Sequence, residues 1–213
     1  AENPTDTAIR YRGVSNLFVE DNRFAFTGSD EGDDEENDLT IFAGEQSSRD
    51  TVSVTDNTFE NARVTDGRHS DSSGPEVSEP TITIADNEFT GETMDRFGVS
   101  LQTEAGTTPQ ITISGNEFTN ANGGGVELGS DTEASVVTIK ANTFTDTSEG
   151  IASLTGATDD VTVESNTFEE TGDNVVAFVS DRRGTEGETD SLDLNDIEGN
   201  NEFIPGSEQV EEI

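Results

Sequence analysis

Apolar and polar residues alternate along this chain in short bursts, and the bursts recur. The cleanest runs from Gln110 to Phe118, QITISGNEF: apolar side chains at alternate positions, a two-residue break, an asparagine and then a phenylalanine. Counting back five and three positions from each such asparagine gives the pairs Leu17/Val19, Val52/Val54, Ile82/Ile84, Ile111/Ile113, Val137/Ile139 and Val161/Val163. The asparagines are Asn22, Asn57, Asn87, Asn116, Asn142 and Asn166; two residues beyond them stand Phe24, Phe59, Phe89, Phe118, Phe144 and Phe168. Asn201 and Phe203 repeat the ending, but Asp196 and Glu198 occupy the apolar positions, so the register there is expected to be broken or bulged.

Period-two alternation of β-branched residues predicts a short strand with one face inward and one outward. A second phrase follows several copies: Gly98-Val99-Ser100-Leu101, Gly125-Val126-Glu127-Leu128, Gly150 to Leu154, and Asn174 to Phe178. Each repeat therefore holds at least two strands. Successive asparagines are 35, 30, 29, 26, 24 and 35 residues apart, a drifting period that signals stacked supersecondary units. The drift falls in the loops, because the phrase keeps its length.

One hairpin per repeat would leave the inward Ile, Val and Phe uncovered, whereas a full turn of a coil buries them against the coils above and below. The expected architecture is an all-β parallel β-helix of about seven coils, a rod roughly 30 Å long at strand spacing. Like residues then stack on like. An asparagine amide both donates and accepts, so a column of them at one turn can satisfy itself from coil to coil. The phenylalanine column fills the interior beside it. A structural ladder is the preferred reading of the asparagines, since ladders need identity at every coil and catalysis needs it once.

The pattern [I/V]-x-[I/V]-x-x-N-x-F followed by G-[I/V]-x-x resembles the repeats of right-handed parallel β-helix proteins, the pectin-lyase-like superfold. The resemblance covers about residues 13 to 203. It implies the fold and leaves the function open, because that family includes polysaccharide lyases, glycoside hydrolases, phage tailspikes, adhesins and inert surface modules.

Composition changes the picture in one respect. With 47 acidic against 10 basic residues the net charge is −37, which repels nucleic acid and anionic membranes. Such charge at 29% hydrophobic content would by itself suggest disorder, but the regular strand phrases argue against it. The acid must then lie on the surface. Dense Asp and Glu, a single Lys and no Cys resemble proteins of extreme halophiles, haloarchaea or their viruses, where strong salt screens carboxylate repulsion. No stretch has the apolar length of a membrane span. The absence of Cys excludes disulfides and thiolate metal sites. The chain starts at Ala1 with no signal-like segment, the start expected of a processed protein or an excised piece.

A single β-helix domain is expected over 1–213, with 1–12 a cap or lead-in, 13–190 regular coils and 191–213 an irregular terminal coil and acidic tail. Turns after the first three N-x-F phrases are long: Thr27 to Asp38, Glu60 to about Ser73, and Thr90 to Arg96. If they leave the coils at one point, they form a ridge along one flank carrying Asp33, Asp34, Glu35, Arg63, Arg68, the only His, His69, and Arg96. Long loops on a rigid scaffold are where binding residues gather; the preferred reading is nevertheless solvated insertions. The acidic run around Asp33 could ligate calcium or another hard cation through oxygen, but its spacing matches neither the EF-hand loop nor the nonapeptide calcium repeat. No resident cofactor is expected.

The resemblance leaves two functions in competition. One is a non-enzymatic scaffold or recognition module of a cell surface or virus particle, with surface or virion proteins, glycans or further copies of the chain as partners. The other is a polysaccharide lyase or glycoside hydrolase. The family's hydrolases pair carboxylates beside G-H-G and R-x-K elements; here His69 lies in GRHS and no R-x-K occurs. Lyases need a base, and the one lysine, Lys140, stands at an outward strand position. Trp is absent, Tyr11 is the only Tyr, and most of the 12 Phe belong to the interior, which leaves little for sugar stacking. The module is the expected function.

Overall fold

The structure, a computed structural model, describes residues 9–11, 16–25, 38–41, 51–66, 81–91, 97–101, 110–121, 123–128, 136–147, 149–153, 161–169, 174–178, 199–204 and 211–212. A lead-in strand, β1 (Ile9–Tyr11), precedes six coils of three strands each. They are β2 (Asn16–Glu20), β3 (Arg23–Ala25) and β4 (Asp38–Ile41); β5 (Thr51–Thr55), β6 (Thr58–Glu60) and β7 (Arg63–Asp66); and β8 (Thr81–Ala85), β9 (Glu88–Thr90) and β10 (Val99–Leu101). Then come β11 (Gln110–Ser114), β12 (Glu117–Thr119) and β13 (Val126–Leu128); β14 (Val136–Lys140), β15 (Thr143–Thr145) and β16 (Glu149–Ser153); and β17 (Val161–Glu164), β18 (Thr167–Glu169) and β19 (Asn174–Phe178). A partial seventh coil supplies β20 (Glu202–Phe203) and β21 (Glu211–Glu212).

Corresponding strands pair in parallel to make three sheets: sheet A of eight strands from β1 to β21, sheet B of six from β2 to β17, and sheet C of seven from β3 to β20. The register joins like to like. Val52, Ile82, Ile111, Val137 and Val161 pair in sequence across sheet B, and Phe24, Phe59, Phe89, Phe118, Phe144, Phe168 and Phe203 pair in sequence across sheet C. This is a parallel β-helix.

The coil has three strands where the phrases read as at least two, because the asparagine phrase is itself bent. The residue before each asparagine is left-handed: Asp21, Asp56, Asp86, Gly115, Ala141 and Ser165 have φ between 54° and 66°. That kink sends the Ile-x-Ile segment into sheet B and the phenylalanine into sheet C. A second left-handed corner, at Asn61, Asn120 and Asp146 two residues past the phenylalanine, turns the chain from sheet C to sheet A. Asn and Asp tolerate this conformation better than other residues with a side chain. The recurring Asn or Asp at this position was the sequence signal for it.

Alternation then builds the core. In the middle coils the inward members of sheet B, from Val52 to Ile139, are at most 4% exposed, as are Phe59, Phe89, Phe118, Phe144 and Phe168. The rings stack at centroid separations of 4.7 to 5.0 Å, their planes within 11° of parallel from Phe24 to Phe203. Glycine opens the second phrase for a packing reason: a Cβ on Gly125 would lie 2.3 Å from the Phe144 ring, and one on Gly98 would lie 3.1 Å from Phe118.

Two expectations need correction. Residues 63–66 are not turn but strand β7, pairing with β4 and β10. The long insertion of the second coil therefore lies after sheet A, at 67–80, whereas those of the first and third coils, 26–37 and 92–96, join sheet C to sheet A. The three do not leave at one point. At the far end Asn201 and Phe203 continue both columns, while among the described residues sheet B stops at β17. Asp196 and Glu198 lie outside the described residues, as does most of the lead-in 1–12, of which 9–11 extend sheet A.

Candidate functional site

A coil of this kind offers chemistry at three outer faces and at the corners between them. The corner between sheets B and C holds the asparagines. Asn57, Asn87, Asn116, Asn142 and Asn166 are at most 2% exposed. The Oδ1 of Asn57 accepts from the backbone N of Asn22, and from Asn87 onward each Oδ1 accepts from both the backbone N and the Nδ2 of the asparagine one coil earlier: Asn116 Oδ1 is 3.0 Å from Asn87 N and 2.9 Å from Asn87 Nδ2. Each Nδ2 also donates to a carbonyl of the preceding coil, and in Asn57, Asn87 and Asn116 to its own coil two residues back; Asn87 Nδ2 reaches Ala85 O and Val54 O, both at 2.9 Å. The chain of bonds runs from Asn22 to Asn201. With donors and acceptors saturated inside the stack, these side chains hold the corner closed and have no capacity left to bind a ligand.

The outer face of sheet C is acidic, with Glu60, Glu88, Glu117, Glu169 and Glu202 among threonines. At its first coils Arg23 forks onto Glu60, its Nε 2.7 Å from Oε1 and its Nη2 on Oε2. That hydrogen-bonded pairing holds the Glu60 carboxyl below its ordinary range and raises the Arg23 guanidinium. Both side chains stand in solvent, so the pair adds little to stability.

Sheet B presents a different outer face. Its central outward column is Phe18, Ser53, Thr83, Thr112, Thr138 and Thr162, a line of mostly hydroxyl side chains in register. Phe18 at 62% and Val136 at 48% are the large hydrophobic residues left exposed among the described residues, and both lie on this face. The repeat phrase itself places these outward columns, with Thr, Ser, Lys or Glu at most of their positions.

On the outer side of sheet A the register aligns Thr65, Ser100, Glu127 and Ala152. Ser100, outward by alternation, is 4% exposed, and its hydroxyl donates to Glu127 Oε2 at 2.6 Å. A lone carboxylate held by a hydroxyl can accept or deliver a proton, but two-carboxylate glycoside chemistry needs a partner at a defined separation.

Of the residues expected on the loop ridge, Arg63 alone is described; it opens β7, its Cα paired with Asp38 of β4. Asp33, Asp34, Glu35, Arg68, His69 and Arg96 lie outside the described residues. Among the described residues no group of three or more His, Asp or Glu side chains could hold a metal ion, and no helix is long and apolar enough to cross a membrane.

Comparison with known proteins bears on the fold. No curated protein and no solved structure matches the chain significantly. The profile of the right-handed beta helix region matches residues 70–202, covering coils three to six. The first two coils precede that match, yet they continue the same sheets in register. With more than half of its 213 residues matched and its parallel strands wound into three stacked sheets, the chain belongs to the right-handed β-helix family.

Proposed function

We propose that this β-helix is a non-enzymatic scaffold or recognition element that works in strong salt on a cell surface or virus particle. The observation that carries the reading is the continuity of the stack. The asparagine bonds and the stacked rings both run from the first coil to the seventh, and the central outward column of sheet B repeats a small hydroxyl side chain from Ser53 to Thr162. Such regularity makes a stiff rod with extended flat faces, which suits display and lateral contact. Catalysis needs one coil to differ from its neighbours. Carboxylates such as the Glu88 and Glu117 pair, stacked across sheet C, repel one another in dilute buffer and are screened in brine. The partners proposed are surface or virion proteins, with glycans as the second class.

The Ser100–Glu127 pair favours the competing reading, a polysaccharide lyase or glycoside hydrolase, because it joins a hydroxyl of low exposure to a carboxylate of the next coil. Incubating the protein in multimolar salt with acidic and neutral glycans, and measuring release of unsaturated or reducing ends, separates the two. The module reading expects no release. Release that Glu127→Gln abolishes would overturn it and establish the enzyme.

A further inference from the structure

We infer that the outer face of sheet B is the surface on which a second copy of this chain docks; this names a partner for the module proposed above and rests on that reading. The face is built for contact by what it omits. On β5, β8, β11 and β14 no outward position carries a carboxylate, and the one charge is Lys140. In a chain with 47 acidic residues among 213 this is a marked depletion. Outward strand positions do not exclude acid in general, since sheet C carries five glutamates on its own outer face. Among the described residues the two exposed large hydrophobic side chains, Phe18 and Val136, fall on the outer face of sheet B.

Charge selects the occupant. Two copies at −37 repel wherever carboxylates are brought together, and like-charge juxtaposition at an interface costs several kcal/mol. Strong salt shortens the range of that repulsion to about 3 Å at 1 M, but groups forced into contact remain inside it. Sheet B lets a like-charged surface approach without meeting it. The acidic residues resume at the rim, at Glu20, Asp56, Asp86 and Glu164, where they keep their water. A neutral glycan gives no reason to clear carboxylates, which accept hydrogen bonds well from sugar hydroxyls. Threonine and serine hydroxyls both donate and accept, so the same face can satisfy itself across a two-fold axis, as an isologous contact requires.

The size of the face fixes the strength of the contact. Six strands of about five residues cover roughly 24 Å by 16 Å, on the order of 400 Å² of flat area per partner. Stable specific interfaces use about 800 Å² per partner. Association is therefore reversible and concentration-dependent.

Sedimentation in multimolar salt over a wide range of protein concentration tests this. The wild type is expected to shift from monomer to a heavier species as concentration rises. Thr112→Asp, which puts a carboxylate from each copy into the middle of the contact, is expected to raise the dissociation constant by about tenfold or more. Phe18→Ser, at an exposed side chain that the fold does not need, is expected to weaken association in the same direction. Thr119→Asp on sheet C is expected to leave it unchanged, and circular dichroism checks that each variant is folded. A wild type that stays monomeric throughout, or an association that survives both sheet B variants, would overturn the proposal. Neutral-glycan binding lost in Thr112→Asp without any self-association would overturn it in favour of a glycan face. Glycan cleavage instead refutes the module reading, and is read by products rather than by mass.

Discussion

Asn87 gives both its backbone N–H and its side-chain Nδ2 to the single Oδ1 of Asn116, at 3.0 and 2.9 Å. One amide oxygen thus closes two donors of the preceding coil, while the Asn116 Nδ2 answers Ile84 O and Asn142 Oδ1, both at 2.9 Å. Truncating it leaves buried donors without acceptors. Asn116→Ala is expected to cost about 3 kcal/mol or more, at about 1 to 3 kcal/mol per orphaned group. Asn116→Asp costs at least as much, because a carboxylate cannot donate to those oxygens and would be buried among them. Asn22→Ala, at the exposed end of the column, gives up only a local bond to Glu20 O and is expected to cost no more than about 1 kcal/mol. Chemical denaturation in strong salt measures all three; equal losses at Asn22 and Asn116 would contradict a cooperative column.

Thr147 is a flaw in the repeat that can be repaired. Its equivalents three residues past the phenylalanine, Ala62 and Ala121, are buried and apolar, whereas the Thr147 Oγ1 is buried with no hydrogen-bond partner. Valine has the same shape without the hydroxyl. Thr147→Val is expected to raise the unfolding free energy by about 1 kcal/mol, since an unsatisfied buried polar group costs about 1 to 3 kcal/mol. A loss of stability in the same denaturation experiment would show that the hydroxyl is satisfied.

The Arg23–Glu60 pair makes a prediction about pH. Glu60 is held below its ordinary range by Arg23, so its contribution is present above the unfolded carboxylate pKa and disappears as pH falls through the lower, folded value. Removing Arg23 by Arg23→Gln is expected to move the Glu60 titration, followed by NMR at low salt, up toward the ordinary carboxylate range. Strong salt should shrink the difference, because both groups are exposed. A Glu60 titration unmoved by the substitution would show that the ion pair does not persist in solution.

The fold was legible because a parallel β-helix repeats its instructions. Val137-x-Ile139, Asn142 and Phe144 state the same coil as Ile111-x-Ile113, Asn116 and Phe118, so the period-two pattern could be checked against itself. Strand β7 was not legible, because RVTD lacks the glycine that opens the second phrase in the next three coils; the pairing of Val64 with Val99 puts Arg63 where Gly98 stands, and the segment reads as part of a long turn. The position of the expected ridge depended on that misreading. Loops of unequal length share no register, so their sequence cannot place Asp33, His69 and Arg96 relative to one another, whereas the register of sheet B places Phe18 beside Ser53, and Ser53 beside Thr83, directly. Alternation by itself leaves the outward positions of β5, β8, β11 and β14 without a carboxylate.

The central claim is that identical corners lock the coils into one stiff rod, and amide hydrogen exchange at the asparagines tests it most directly. In strong salt the backbone N–H groups of Asn57, Asn87, Asn116 and Asn142, each bonded to the next asparagine's Oδ1, are expected to exchange only through global unfolding, with Asn22 faster at the exposed end. Rapid exchange at Asn87 and Asn116, in the middle of a folded protein, would contradict the ladder and with it the rigid scaffold.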